Sequence, residues 1–221
     1  MKKLHIVATI LLGYMGWTYF HISPPTTISV RIGQTFNEVA RASTFPVTAA
    51  SNIPNNSNGS GATWVTEPAV VIQFNDPEHG FTLPATTFAA IGYMDGKVDD
   101  ISTSPMLGKL PFDEAATVLA RLQRQFQDGG WRPQPNNVWF DLAPLGREQL
   151  RKHVRKESNG FMKTTMLIVP EKYEMTFRLW CAARCDSQIG LDRYLIDIGI
   201  SQDIGFERRK RKRQQEETMT P

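Results

Sequence analysis

Apolar residues follow two patterns along this chain, a continuous run near the N-terminus and periodic segments after it. The run Leu4 to Ile22 (LHIVATILLGYMGWTYFHI) has no polar stripe, and only His5 and His21 in it titrate near neutral pH. A helix rises 1.5 Å per residue, so about twenty residues cross the ~30 Å hydrocarbon core of a bilayer. The run therefore predicts one N-terminal membrane-spanning or signal helix, which the Ser-Pro-Pro sequence at 23–25 ends.

The residues that flank this run indicate its orientation and its fate. Lys2 and Lys3 precede it, and cationic residues stay on the cytoplasmic side of a membrane, so the residues after the run are predicted to be exported. A cleaved signal peptide requires small residues at its cleavage site, whereas residues 17–21 (WTYFH) are mostly bulky. Residues 1–23 are thus a signal-anchor or a signal peptide, with the anchor favoured. A buried soluble helix is disfavoured, because such a helix should show a polar stripe.

Helical periodicity appears in three segments of the exported part. Thr35 precedes Glu38 at the spacing of a capping box, which predicts a short helix beginning there. Residues 113–128 (DEAATVLARLQRQFQD) place apolar side chains on one face and two acidic residues in the first turn, where the helix dipole favours them. Residues 145–157 form a highly charged third segment, which Asn159-Gly160 ends.

The remaining periodic segments predict β-strands. Residues 173–181 (YEMTFRLWC) alternate apolar and polar side chains, which is typical of an antiparallel sheet with one buried face. Asp95-Gly96 predicts a tight hairpin turn between two strands. The other predicted strands are 27–31, 69–74, 88–93, 98–102, 164–169 and 194–200. The sequence therefore predicts an α+β fold over residues 24–207, an antiparallel sheet with two to three helices packed on one face.

Two polar segments are candidates for recognition. Residues 51–62 (SNIPNNSNGSGA) hold almost nothing that can be buried, and the predicted hairpin carries several charges. Loops held by a rigid sheet commonly carry recognition, although solvent exposure alone also explains this composition. The predicted partner-binding residues are Asn55, Asn56, Asn58, Asp95, Lys97, Asp99 and Asp100.

The distribution of charge argues against binding to nucleic acid. Two positive charges of the net +3 belong to Lys2 and Lys3 and a net four belong to residues 208–221, which leaves −3 for residues 24–207. A nucleic-acid-binding domain is expected to carry a basic face within its fold. The basic sequence RRKRKR at 208–213 is interpreted as part of a disordered tail, with contact to anionic lipid headgroups as the alternative.

No residue constellation specifies a reaction or a cofactor. The exported part has only two histidines, His79 and His153, and their positions match no zinc-binding motif. The sequence Asn58-Gly59-Ser60-Gly61 has the wrong spacing for a hydrolase nucleophile. The neighbouring carboxylates Asp99 and Asp100 have no evident catalytic partner. We therefore predict no enzyme, no cofactor and no metal site.

The two cysteines, Cys181 and Cys185, are four residues apart after a predicted strand. Export would place them in an oxidising compartment, where disulfides persist. Bridging requires Cα atoms about 4.4–6.8 Å apart, which a tight loop allows. A disulfide is predicted, with two unpaired buried thiols as the alternative.

Several of these segments together resemble periplasmic immunity proteins that protect bacteria against type VI secretion effectors, particularly phospholipase toxins. The resemblance rests on Ile32-Gly33 with Phe36 and Val39, on Asp95-Gly96-Lys97-Val98 with Ile101 and Ser104-Pro105, and on a helix ending in Asp128-Gly129-Gly130-Trp131. It covers about a hundred residues, none of which forms a functional motif by itself.

The resemblance implies a periplasmic protein, tethered to the inner membrane or free, that binds an incoming toxin, in particular a lipase, and blocks it. Confining an inhibitor to the membrane where a lipase acts would raise its effective concentration. A structural or assembly subunit of a cell-envelope complex is the alternative function, and an enzyme comes third.

Overall fold

The computed structural model describes residues 25–54, 59–187 and 189–206. The predicted N-terminal helix, the asparagines Asn55, Asn56 and Asn58, and the basic tail lie outside these residues. Within the described ranges, no helix combines the length and the apolar character needed to cross a membrane.

The described residues form ten β-strands and three α-helices, with short 3-10 helices at Val47–Ala50 and Glu157–Asn159 and a helical turn at residues 204–206. The α-helices are α1 (Phe36–Ala42), α2 (Phe112–Asp128) and α3 (Pro144–Val154). The strands are β1 (Thr26–Val30), β2 (Ser60–Val65), β3 (Val70–Phe74), β4 (Phe81–Thr82), β5 (Ala89–Met94), β6 (Lys97–Thr103), β7 (Arg132–Pro133), β8 (Met162–Val169), β9 (Tyr173–Ala183) and β10 (Arg193–Gln202).

Seven strands form one antiparallel sheet in the order β2-β5-β6-β10-β9-β8-β7. The long strands β9 and β10 lie at its centre and pair along nearly their whole length. The predicted hairpin is confirmed, because Asp95 and Gly96 both adopt positive φ angles (49° and 71°) between β5 and β6. The predicted α+β class with a large antiparallel sheet is likewise confirmed.

A second, smaller sheet was not predicted. It has the order β1-β3-β4, and its β1–β3 pair is parallel. The sequence places β1 and β3 in separate apolar runs about forty residues apart. Pairing between such distant strands is a tertiary property that local periodicity does not encode.

The helices and the small sheet pack on the same face of the large sheet. Phe126 of α2 contacts Phe177 of β9 with ring centroids 5.1 Å apart, and Phe112 contacts Tyr194 of β10 at 5.2 Å. The small sheet reaches the same face through Phe74, whose ring lies 5.1 Å from that of Tyr173. This face therefore forms the hydrophobic core.

The predicted start of α1 agrees with the observed cap. The Thr35 hydroxyl accepts a hydrogen bond from the Glu38 backbone N–H, and the Glu38 carboxylate accepts one from the Thr35 N–H at 2.8 Å, so the capping box of α1 is present. Helix α3 ends at Val154, before the predicted end at residue 157, and a separate 3-10 turn follows it.

The predicted loop 51–62 is partly wrong. Residues 60–62 belong to β2, which pairs with β5 from Ser60↔Met94 to Val65↔Ala89. The Ser-Gly-Ala sequence shows no alternation of apolar and polar residues. None is needed there, because β2 is the edge strand of the sheet and these three residues are exposed or half-buried.

A β-bulge explains why the sequence signal of β6 is irregular. Gly92 pairs with Asp100 and Tyr93 pairs with Val98, so Asp99 is the extra residue of the bulge. The bulge brings Val98 and Ile101 onto the same buried face although they are three residues apart.

Candidate functional site: the open face of the large sheet

The two faces of the seven-stranded sheet differ in composition. The covered face, toward the helices, carries buried aromatic and aliphatic side chains, among them Ile91, Ile101, Met175, Phe177, Leu179, Tyr194, Ile196 and Ile198. The opposite face, which we call the open face, also carries Trp180 and Leu195 at one end, but most of its alternate positions hold small or polar side chains, namely Ala90, Gly92, Asp100, Ser102, Glu174, Thr176, Arg178, Asp197, Gly199 and Ser201. No residue of a described helix lines the recesses on this face.

Three recesses lie on the open face and share residues, so together they form one trough along β6, β9 and β10. The first recess, about 170 Å³, includes Asp100, Glu174 and Ser201. The middle recess, about 330 Å³, includes Arg178 and Asp197 and shares Ser102, Thr176 and Gly199 with the first. The third, about 470 Å³, shares Phe88 and Asp197 with the middle one.

One end of the trough is acidic. Burial raises the pKa of the Asp100 carboxyl above its ordinary value, and the neighbouring charge of Asp99 raises it further, although a hydrogen bond from Ser102 opposes the shift. Glu174 accepts a hydrogen bond from the Ser201 hydroxyl at 3.3 Å. A cation placed here would relieve the unfavourable environment of the ionised Asp100.

The middle of the trough holds one cation and one anion on paired strands. Arg178 and Asp197 are register partners in β9 and β10. The Arg178 Nε donates to the Thr164 hydroxyl at 3.3 Å, and Asp197 accepts a short hydrogen bond from the Ser104 hydroxyl. These bonds orient both side chains within the trough floor.

The other end of the trough is apolar. Phe88 and Leu107 are 49% and 65% exposed, and they line the third recess together with Trp180 and Leu195. Trp180 and Leu195 are register partners. The indole Nε1 hydrogen of Trp180 is buried and has no acceptor among the described residues. Exposed apolar side chains gathered around a recess are typical of protein-binding surfaces.

The predicted hairpin residues divide between two places. Asp95 and Lys97 lie at the hairpin end, where they line a separate recess of about 410 Å³ with Phe36, Ile53 and Pro54. Asp95 is bound to the loop before β2, because its backbone N–H donates to the Gly59 carbonyl and its carboxylate accepts from the Gly59 N–H, both at 2.9 Å. The hairpin therefore lies beside Gly59, Ile53 and Pro54.

The adjacent carboxylates Asp99 and Asp100 are separated by the bulge. Asp99 is exposed, whereas Asp100 is half-buried on the open face. Asp100 lies directly over Gly92, since a Cβ atom added to that glycine would stand 2.1 Å from the Asp100 Oδ1. Among the predicted residues that lie within the described ranges, Asp100 is the one that lines the trough.

The predicted disulfide is supported by the geometry of the two cysteines. Cys181 and Cys185 have Cα atoms 5.7 Å apart, and their sulfur atoms are at bonding distance. The bridge lies at the end of β9, where Arg155 after α3 donates to the Cys185 carbonyl at 3.2 Å. A disulfide here is compatible with an oxidising compartment.

The histidine in the loop after β3 has a structural role. A nitrogen of the His79 ring lies 2.9 Å from the Gly129 carbonyl, and the His79 carbonyl accepts a hydrogen bond from the Trp131 indole at 3.0 Å. These contacts fasten the turn after α2 to the loop before β4. Within the described residues, no group of three or more potential ligands is arranged to hold a metal ion.

No protein-family model, no characterised protein and no solved structure matches this chain. What the structure indicates about function therefore comes from its fold and from the trough.

Sequence reasoning missed most of the trough. Its residues come from β6, β9, β10 and the segments that flank β5 and β6, which are distant along the chain. One signal was present, because Trp180 and Leu195 occupy the polar positions of two otherwise alternating strands. A large apolar side chain on the wetter face of a strand indicates either a second covering layer or a contact surface.

Proposed function

We propose that this chain is a non-enzymatic binding protein of the bacterial periplasm that protects the producing cell by docking a secreted toxin, a phospholipase effector, on its open face. The observation that carries the proposal is the open face itself, a trough with an apolar end on a sheet whose opposite face already supplies the hydrophobic core. Rigid sheets that present one solvated face are suited to recognition, because binding then costs little conformational entropy.

The sequence supports the periplasmic compartment and the class of toxin. The apolar run at 4–22 provides export and a tether, and the disulfide between Cys181 and Cys185 fits an oxidising compartment. The resemblance to immunity proteins supplies the class of partner. A tether would hold the inhibitor at the membrane surface that a phospholipase attacks.

The proposal is tested by protection of cells that receive a periplasm-directed phospholipase effector encoded beside the gene for this chain. We expect the wild-type chain to restore growth and Thr176→Trp to abolish protection, because Thr176 lies in the trough floor and indole would fill it. The matched control is Arg124→Trp, which adds the same side chain to the exposed side of α2. Equal protection by both variants would contradict docking on the open face.

The same cells separate this function from the alternative of an envelope-assembly subunit. An assembly subunit would co-purify with envelope proteins in cells that contain no toxin, and the toxin would not change the set of proteins recovered. An immunity protein would instead recover the toxin in stoichiometric amount. Loss of protection on removal of residues 24–207 is expected only for the immunity function.

A further inference from the structure

The glycine in the middle of the trough is required neither by its backbone conformation nor by a close neighbouring atom. Gly199 lies in the interior of β10, pairs regularly with Ser102 and Thr176, and has a φ angle that other residues also adopt. A Cβ atom added there would meet only the Thr176 Cβ, at 3.9 Å, which is an ordinary contact. Gly92 is different, because a Cβ atom there would collide with Asp100.

Glycine within a strand costs stability unless something requires the missing side chain. It is destabilising by roughly 0.5–1 kcal/mol relative to alanine in a strand interior. Such glycines mark a bulge, a tight bend or a place where another backbone approaches closely. The register of β10 is regular at Gly199, so neither a bulge nor a bend explains this glycine. The remaining explanation is that another backbone approaches it closely from the open side.

The two ends of the trough differ in what they attract. Along β10 the acidic end lies at Ser201 and the apolar end at Leu195, six residues apart, which corresponds to roughly 20 Å in an extended strand. Asp100 and Glu174 provide negative charge at the first end. Phe88, Trp180 and Leu195 provide apolar surface at the second.

We propose that the trough binds an extended segment of the partner protein that carries a basic side chain and a large apolar side chain about six residues apart, with its backbone lying over Gly199. This inference rests on the proposed function, since it names the part of the toxin that the open face recognises. The basic side chain meets Asp100 and Glu174, and the apolar side chain fills the recess beside Trp180 and Leu195.

The floor of the trough favours a polypeptide segment over a purely apolar ligand. The hydroxyl groups of Ser102 and Thr176 flank Gly199, so the floor offers polar contacts to a peptide backbone.

The test uses the full-length chain in lipid nanodiscs and a labelled peptide, Arg-Thr-Ser-Thr-Ser-Thr-Leu, that carries the two side chains at the required spacing. Fluorescence anisotropy measures its affinity. Two control peptides replace the arginine by glutamate or place arginine and leucine side by side in the same composition. We expect the first peptide to bind about five- to tenfold more tightly than either control, as surface charge pairs and one apolar anchor allow.

Variants locate the binding site. Asp100→Asn and Glu174→Gln should each weaken binding about two- to fivefold, and the control Asp128→Asn, which removes a carboxylate from the exposed end of α2, should not. Gly199→Trp should abolish binding. The indole resonance of Trp180, assigned with Trp180→Phe, should shift as the apolar side chain of the peptide packs in the recess that this ring lines.

The outcomes distinguish the inference from the proposed function. Equal or absent binding of the three peptides, or an unmoved Trp180 resonance, overturns the inference. If Gly199→Trp nevertheless abolishes protection against the toxin, the open face still binds the toxin, but through a different element. If Gly199→Trp leaves protection intact, the proposed function fails together with the inference.

Discussion

The covered and open faces of the large sheet are built from the same strands, but successive residues of a strand point to opposite faces and differ in burial. On β9, Met175, Phe177 and Leu179 are fully buried, whereas Thr176 and Arg178 between them are half-buried and line the trough. The side chains of the hydrophobic core therefore occupy one set of alternate positions on this strand, and the side chains proposed for recognition occupy the other. Substitutions on the two faces should have separable effects.

The largest expected effect is on the covered face. Phe177→Ala removes a fully buried ring that contacts Phe126 and Phe140, and should lower the free energy of unfolding by about 3–5 kcal/mol. Thr176→Ala, one residue away on the open face, should change it by less than about 0.5 kcal/mol. Urea denaturation followed by circular dichroism compares the two. Similar losses would show that the open face is also a packing surface.

The second effect concerns the polar cluster of Asp192, Tyr194 and Arg151 at the covered side of β10. Burial acts to raise the pKa of Asp192, but the hydrogen bond from the Tyr194 hydroxyl and the charge of Arg151 outweigh it and hold this pKa below its ordinary value. Asp192→Asn should cost about 1–3 kcal/mol at neutral pH, because it weakens hydrogen bonds of buried groups.

The sign of the pH dependence follows from the lowered pKa of Asp192. The carboxylate stabilises the folded state above the unfolded pKa of about 3.9, and this contribution is lost as pH falls through the lower folded pKa. The difference between wild type and Asp192→Asn should therefore shrink below about pH 4. Chemical denaturation of both proteins from pH 7 to pH 3 measures it, and a constant difference would contradict the assigned role of the charge.

The smallest expected effect has the opposite sign. Gly199→Ala should stabilise the fold by roughly 0.5–1 kcal/mol, because the added methyl group meets no obstacle and the unfolded chain loses conformational freedom. Gly80→Ala is the control and should destabilise, since its methyl group would stand 2.3 Å from the backbone carbonyl oxygen of Asp76 and 2.7 Å from that of Phe74. Thermal unfolding of the two variants gives the comparison. A destabilising Gly199→Ala would mean that this glycine serves the fold rather than the trough.

The strength of the local periodicity explains which elements could be predicted from the sequence. Strand β9 and helix α2 have strong local periods, so their positions were predicted closely. The capping box of Thr35 and Glu38 and the hairpin turn at Asp95-Gly96 are local devices that need no tertiary information. The proximity of Cys181 and Cys185 follows from their short spacing.

The trough could not be predicted in the same way, because alternation identifies two faces but not which one the helices cover. The loop residues were chosen for exposure, and of those that the structure describes only Asp100 lines the trough. The bulge at Asp99 is the reason that Asp100 lines the trough and Asp99 does not, since it changes which residues of β6 face the open side. Strand β2 was missed because its Ser-Gly-Ala start has no apolar period.

Site-directed photo-crosslinking tests the central claim most directly. A benzophenone amino acid replaces Phe88, an exposed ring at the apolar end of the trough, or Leu145, which is 67% exposed on α3, in cells that also produce the periplasm-directed effector. We predict that the crosslink to the effector forms from position 88 and not from position 145. A crosslink from position 145 alone would contradict recognition by the open face.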